Sequence, residues 1–489
     1  MKEIQDLISI SQFYGKDSRF VIAGGGNTSY KNEEKIWVKA SGSSLATITE
    51  DGFAILDRSL LNPMSGKHYS ENAAEREEQV KNDLALATIS RGKRPSVETS
   101  MHNVINYAFV VHLHPTIVNG LMCAVNAVTT LKNLFGEKVL YVEYTDPGYV
   151  LFKKVDEKIK EYRRKFSEEP QVIWLQNHGI FVAADSVEEI KSIYDSIIDT
   201  LERAVSIPLP EGETEVCRCI SEVVPAIRML VSKDSLKTLK VRKNGLIEYF
   251  CDYPEKQVDV AKPFTPDAIV YCKSNYLFFN DETPEQILAN AKESISGFVN
   301  KYGYLPKVLL IRGVGLVSIG DNARQCDTIL DVFEDAMKVA FLSQSFGGAH
   351  PMTQAQIDFI DNWEVENYRR SVAAGNASGR AENRTIIVTG AAQGFGEGIA
   401  ECLLREGANI VVADLNEEAG RKTVSKFNGL TKSNRAIFVR TNVSEISSLE
   451  NLVQETVFHF GGIDCFISNA GVLRAGGLED MTPENFDFV

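Results

Sequence analysis

The feature that most limits how this chain can fold is an internal repeat. The segment PQVIWLQNHGIFVAAD, beginning at Pro170, is echoed 136 residues later by PKVLLIRGVGLVSIGD, beginning at Pro306. Each reads as a β-branched strand, a glycine-containing turn and a second strand. The same offset pairs Asp195 with Asp331 and Ala204 with Ala340, so the likeness runs on into the next helix. In the first copy that helix opens at Ser186 with Glu189 three residues on, a capping-box pattern, and Ile190, Ile193, Tyr194, Ile197 and Ile198 follow at helical spacing. The chain therefore holds two related α/β domains, the second a worn copy of the first.

At 489 residues there is room for a third domain. Two breaker-rich stretches, PLPEGETE at 208–215 and AAGNASGRAENR at 373–384, divide the sequence and predict domains at 1–207, 208–376 and 377–489. Fifty-two Lys plus Arg against 66 Asp plus Glu leave a formal charge of −14, the wrong sign for binding a polyanion, so no nucleic-acid partner is expected. No apolar run reaches about 18 residues, and MKEIQDLISI lacks the basic-then-apolar order of a signal peptide. The expectation is a cytoplasmic protein with no membrane partner. The eight cysteines, Cys123, Cys217, Cys219, Cys251, Cys272, Cys326, Cys402 and Cys465, show no spacing of a disulfide framework or paired zinc motif, which fits a reducing compartment.

The chemistry of the first copy lies in its histidines. VVHLHP sets His112 and His114 two apart on a strand-like run, so both imidazoles face one side of a sheet. His178 ends the strand VIWL just before Gly179, and three imidazoles with an open fourth position are a usual catalytic zinc arrangement. Zn suits neutral imidazole nitrogens first, with other late divalent metals as alternatives. Glu98, in PSVETSMH one connection upstream, is the carboxylate that would move a proton alpha to a metal-bound carbonyl. Two turns, AGGGNTSY with Gly24 to Ser29 and KASGSSL with Ser41 to Leu45, read either as plain tight turns or as anion-binding concavities. The second copy has no HxH, and Val314 stands where His178 stands in the first.

GGGNTSY, KASGSSL, PSVET, HLHP and NHG, in this order over about the first 205 residues, resemble the class II aldolase family of the fuculose and rhamnulose phosphate aldolase group. The resemblance implies zinc-dependent cleavage of a ketose 1-phosphate into dihydroxyacetone phosphate and an aldehyde. It implies that His112, His114 and His178 hold the metal and that Glu98 is the acid/base. It further implies that Asn27, Ser41 and Gly42, with Gly26 and Ser29 in the same turns, contact the phosphate. Tyr144, in VEYTDPG, resembles the tyrosine that reaches the active site of an adjacent subunit, and a homo-oligomer, dimer or tetramer, is implied with it. Val97 departs from a pattern with two serines before the glutamate and removes one phosphate hydroxyl. The family also contains the non-catalytic adducins, which lack the metal site.

From Thr385 the sequence TIIVTGAAQGFGEGIAECLLREGANIVVADLN gives strand, glycine turn, amphipathic helix and second strand. Gly390, Gly394 and Gly396 let backbone N–H groups and a helix N-terminus approach a pyrophosphate, and Asp414 can accept from the adenosine ribose, favouring NAD over NADP. FVRTNVSE and CFISNAGVL, with Asn469, Ala470 and Gly471 as an NAG motif, resemble the short-chain dehydrogenase family. That family's YxxxK pair does not follow within residues 472–489, so the expected fold is α/β: an aldolase-like domain, a degenerate aldolase-like copy and a partial Rossmann fold. The partial domain would expose a strand edge and an apolar face, hold NAD through an incomplete site and lack dehydrogenase activity by itself. The order of domains resembles the bifunctional rhamnulose-1-phosphate aldolase and lactaldehyde dehydrogenase family, which implies a sugar phosphate as the small-molecule partner. An epimerase or decarboxylase on the same scaffold, an adducin-like scaffold and a non-catalytic NAD-binding module are the rival readings.

Overall fold

The computed structural model describes residues 2–488 apart from 211, 213, 216, 282, 363–378, 433, 473–476, 478 and 480. The domain boundary expected at 376–377 lies outside the described residues. The chain is α/β with three sheets, divided between two compact units: Met1–Pro210, Lys256–Ser274 and Asp331–Arg370 form one, and Glu211–Glu255, Asn275–Leu330 and Ser371–Val489 the other. The middle stretch of sequence thus contributes to both units. Among the described residues no helix is long and apolar enough to cross a membrane.

The first unit is built on seven strands: β1 (Asn27–Lys31), β2 (Lys35–Lys39), β3 (Phe53–Asp57), β4 (Phe109–Leu113), β5 (Leu140–Val142), β6 (Val172–Leu175) and β7 (Gly179–Ala184). Their order is β3-β2-β1-β4-β7-β6-β5, antiparallel throughout except for the parallel pair β5–β6. β4 lies at the centre, and its sequence FVVHL is buried at every position because helices cover both faces. Alternation sorts its side chains. Val111 and Leu113 join Ile180 and Val182 against the helices Lys2–Gly15, Thr116–Met122 and Val187–Ala204. Val110 points the other way, with Phe181, toward Met101 and the helix Tyr149–Phe166. His112 shares the side of Val110. The helix Val187–Ala204 is capped at Ser186, which accepts from the Glu189 N–H.

The repeat seen in sequence is a repeat in structure. β8 (Thr238–Arg242), β9 (Leu277–Phe279), β10 (Val308–Ile311) and β11 (Gly315–Gly320) form a sheet in the order β8-β11-β10-β9, reproducing β4-β7-β6-β5. Pairings Val172↔Val182 and Leu175↔Gly179 in the first copy recur as Val308↔Ser318 and Ile311↔Gly315 in the second. The connecting turn needs a left-handed residue, supplied by Asn177 (φ 54°) in one copy and Gly313 (φ 74°) in the other. His112 pairs with Phe181, and the matching pair in the second copy is Val241↔Val317. Val241, Lys243 and Val314 therefore stand in the places of His112, His114 and His178, and the second copy has none of the three imidazoles.

The third sheet, β12 (Thr385–Thr389), β13 (Asn409–Asp414), β14 (Ala436–Arg440) and β15 (Cys465–Ile467), is parallel in the order β14-β13-β12-β15. This is a half-Rossmann order, with a switch point between β12 and β15. The apolar faces expected to be bare are largely closed. Val388, Ala400, Leu404, Ile410 and Phe427 fill one side; Val411, Val439, Leu452, Phe460 and Ala323 fill the other. Val457, on the helix Ile446–Phe460, also packs among Val224, Leu239 and Val317 of the second copy. On the strands themselves, Phe466 at the β15 edge remains half exposed. Cys217 and Cys219 are joined as a disulfide, a pairing their spacing did not suggest.

One ion pair fixes the start of β12. Arg228 donates to both Asp464 carboxylate oxygens, at 3.1 and 2.7 Å, and to the Asn383 carbonyl at 3.2 Å, while Asp464 accepts from the Thr385 N–H at 2.7 Å. The side chains are only 7% and 16% exposed, so removing one charge leaves the other buried and unpaired. Arg228→Ala should cost about 3–5 kcal/mol in denaturant unfolding of this unit. A loss below about 1 kcal/mol would show that the pair is solvated.

Candidate metal centre and dinucleotide site

The centre forms where β4 ends and β7 begins. His112 closes β4 beside Asn27 of β1 and Phe181 of β7, and its ring stacks on Phe181 at 4.1 Å. His114 follows after one residue, and His178 sits at the turn between β6 and β7. One nitrogen from each of His112, His114 and His178 lies within 4.8 Å of the others. The glycine after His178 is required by space: a Cβ on Gly179 would stand 2.5 Å from the Leu113 carbonyl oxygen and 2.6 Å from His114 Cδ2.

The outer nitrogens are occupied. His112 Nδ1 lies 3.0 Å from the Ile180 carbonyl oxygen, which can only accept, so Nδ1 carries the proton. His114 Nδ1 lies 2.8 Å from Asp267 Oδ2, again an acceptor. When both rings are neutral, this tautomer leaves each Nε2 with a lone pair, and the two face each other at 3.1 Å. Two lone pairs at that distance repel unless a cation stands at their focus. Two nitrogens of a tetrahedral zinc site, each about 2.0–2.1 Å from the metal, lie about 3.3 Å apart, so the donors fit such an ion. Burial, with His112 adding to it, lowers the His178 pKa to about 3 and keeps its ring in the neutral, ligating form.

Glu98 faces the same point. Its Oε1 is 3.4 Å from Nε2 of both His112 and His178, and Oε2 accepts from the Asn27 side-chain amide. Burial works to raise its pKa, while positive charge at the three-histidine point, at His112 foremost, holds the carboxyl well below its usual range. Its backbone is pinned where the helix Thr99–Val104 begins, the N–H donating to Ser96 Oγ at 3.2 Å.

The other residues singled out from sequence are distributed unevenly. Gly26 adopts φ 75° in the turn beside the centre, where Gly25 also approaches His114. Ser29 turns inward: its hydroxyl is fully buried against His102 Nδ1 at 2.7 Å. Ser41 donates its N–H to the Arg94 carbonyl and its hydroxyl to the Pro95 carbonyl, in a turn where exposed Gly42 has φ 87°. Tyr144 lies in an apolar cluster with Ile269, Met352 and Ile360 and with Val97, and burial, then Asp146, raises its phenol pKa. Lys39 was missed: its ammonium donates to the Gly24 and Gly26 carbonyls, each at 3.1 Å, and so ties the glycine turn to the end of β2. A lysine ending a strand carries no sequence signal for that role.

In the second unit, Gly390 and Gly394 take φ 63° and 64°, and the helix Gly394–Arg405 starts at the turn. Gly396 has no room for a side chain, its Cβ position falling 2.2 Å from the Gly390 carbonyl oxygen. Asp414, at the end of β13, accepts from the Ala392 and Asn416 N–H groups at 3.0 Å each, which holds its carboxylate beside the glycine turn. Asn469 and Ala470 both donate backbone N–H to Thr389 Oγ1 at 3.0 Å, tying the NAG motif, with Gly471 after it, to the end of β12.

Comparison with known proteins finds three family matches along the chain. Residues 5–205 match the class II aldolase and adducin N-terminal domain, 219–369 the class II aldolase second domain, and 384–489 the short chain dehydrogenase family. A Bacillus subtilis protein named uncharacterized oxidoreductase YuxG is 24% identical over 525 positions, covering 98% of this chain and 74% of its own. Short chain dehydrogenase claC of Passalora fulva is 39% identical over 121 residues, 24% of this chain and 45% of its own. The chain thus spans less than half of that dehydrogenase. A solved N-terminal class II aldolase domain from Thermoplasma acidophilum is 25% identical, covering 41% of this chain and 92% of its own, with a TM-score of 0.35.

Gly179→Ala should force β4 and β7 apart at the centre, lowering stability by about 1–3 kcal/mol and weakening metal uptake. Thermal melting and metal titration check both. An alanine variant with wild-type metal affinity would mean that the close approach at Gly179 does not set the centre.

Proposed function

From a chain that joins class II aldolase domains to a short-chain dehydrogenase domain, we propose a zinc-dependent lyase that cleaves a ketose 1-phosphate, rhamnulose 1-phosphate foremost, to dihydroxyacetone phosphate and lactaldehyde. The observation that carries this reading is the convergence of one nitrogen from each of His112, His114 and His178 within 4.8 Å, with Glu98 Oε1 3.4 Å from two of them. A divalent cation bound by His112, His114 and His178 would supply the Lewis acid that stabilises negative charge on the ketose oxygens.

The chain's own groups do the rest. Glu98 Oε1 is the proton-handling atom: in its ionised form it takes the proton alpha to the carbonyl in the synthetic direction and, once protonated, returns it to the three-carbon fragment in cleavage. Asn27 fixes the other carboxylate oxygen, so the proton is moved from a single atom. The turn Gly24–Asn27, held by Lys39, and the turn at Ser41 and Gly42 would receive the phosphate between them. Tyr144, which the family resemblance would send to the aldehyde oxygen in an adjacent subunit of a homo-oligomer, has its hydroxyl buried in its own chain and would have to move to do so. Gly390, Gly394, Gly396, Asp414 and the NAG motif would hold NAD, which fits a fused domain acting on the released aldehyde.

Release of dihydroxyacetone phosphate from rhamnulose 1-phosphate and a small panel of ketose 1-phosphates, with and without chelator, tests the reading. Chelator-sensitive release is expected, and Glu98→Gln should retain metal while kcat falls about 100-fold or more. Bound zinc with no cleavage of any substrate, or an epimerised or decarboxylated product, would contradict it.

A further inference from the structure

The second copy has lost its own imidazoles, yet part of it is folded into the first unit against the metal centre. The helix Pro266–Cys272 places Asp267 in its first turn, and Asp267 Oδ2 meets His114 Nδ1 at 2.8 Å with both side chains largely buried. One turn later on the same helix, the Tyr271 phenol oxygen accepts from the Gly24 N–H at 3.2 Å. Just before the helix, the Phe264 carbonyl accepts from Asn177 Nδ2 at 3.0 Å, and the His350 carbonyl accepts from the same nitrogen at 2.9 Å. Asn177 is the left-handed residue immediately before His178. Residues of the worn copy therefore grip the glycine turn, the second histidine and the turn carrying the third.

We propose that Asp267 is the positioning residue of the metal centre, fixing His114 with its proton on Nδ1 and its Nε2 lone pair toward the ion, and that the segment 264–271 is retained as a brace for the first copy's site. This rests on the metal reading above. A carboxylate behind a ligating imidazole sets the ring's tautomer and orientation and strengthens the nitrogen as a donor. The alternative, that Asp267 binds substrate, is disfavoured by the space around it. Asp267, Thr265, Asn119, Asp335 and His114 line a cavity of about 40 Å³, room for ordered water but far below the several hundred cubic ångströms a sugar phosphate needs.

The test titrates Co2+, whose visible spectrum reports ligand geometry, into the metal-free full-length chain and its variants without substrate. Asp267→Asn and Asp267→Ala should bind at least about tenfold more weakly than wild type, with an altered spectrum and an unchanged apo-protein melting temperature. Affinities within about twofold of wild type, while His112→Ala loses the ion, would overturn the role of Asp267 and leave the metal site standing. If His112→Ala binds as wild type does, the metal reading fails and this proposal falls with it. A measurement on the wild-type chain covers variants that do not fold: in 15N-histidine spectra of the metal-free protein, His114 should carry its proton on Nδ1, and a proton on Nε2 would refute the proposal.

Discussion

The architecture of the first unit converges on one contact, the approach of two imidazole nitrogens whose protons have been committed elsewhere. The Ile180 carbonyl accepts from His112 Nδ1 and the Asp267 carboxylate from His114 Nδ1, so in the neutral rings each Nε2 turns a lone pair toward the other. Such a contact is unfavourable in isolation. It persists because β4, buried on both faces at the centre of the sheet, cannot move, and because Gly179 lets β7 close on it without a side chain between. The proposed cation would relieve that repulsion, and Glu98 stands where it could act on a ligand of such an ion.

Much of this was legible in the sequence. The repeat predicted two sheets of one pattern, and β6–β7 and β10–β11 share a register because Leu175↔Gly179 and Ile311↔Gly315 are fixed by the same short turn. The HxH spacing placed two imidazoles on one side of a strand, and alternation along β4 did the rest. Glu98 was found by its position in a motif; its reach to two imidazoles is a tertiary fact.

What could not be read is equally specific. Asp267 and Tyr271 act on residues 153 and 247 positions away, and nothing local marks a helix of the degenerate copy as part of the first copy's site. Lys39 resembles any strand-ending lysine until its ammonium is seen beneath the glycine turn. Ser29 shows the converse: it belongs to a phosphate-like motif, yet its hydroxyl is spent on His102 inside the fold. The third sheet was expected to present a bare apolar face; packing of Val457 against Leu239 and Val317 comes from a stretch whose sequence gives no hint of that use.

The most direct test of the account is anomalous scattering at the zinc edge from crystals of the full-length chain grown with zinc. A peak about 2.0–2.1 Å from Nε2 of His112 and of His114, with His178 as third ligand, is the expected result. A map with no peak there, and with either Nε2 protonated toward the other ring, would contradict the claim that a cation resolves the contact on which the site is built.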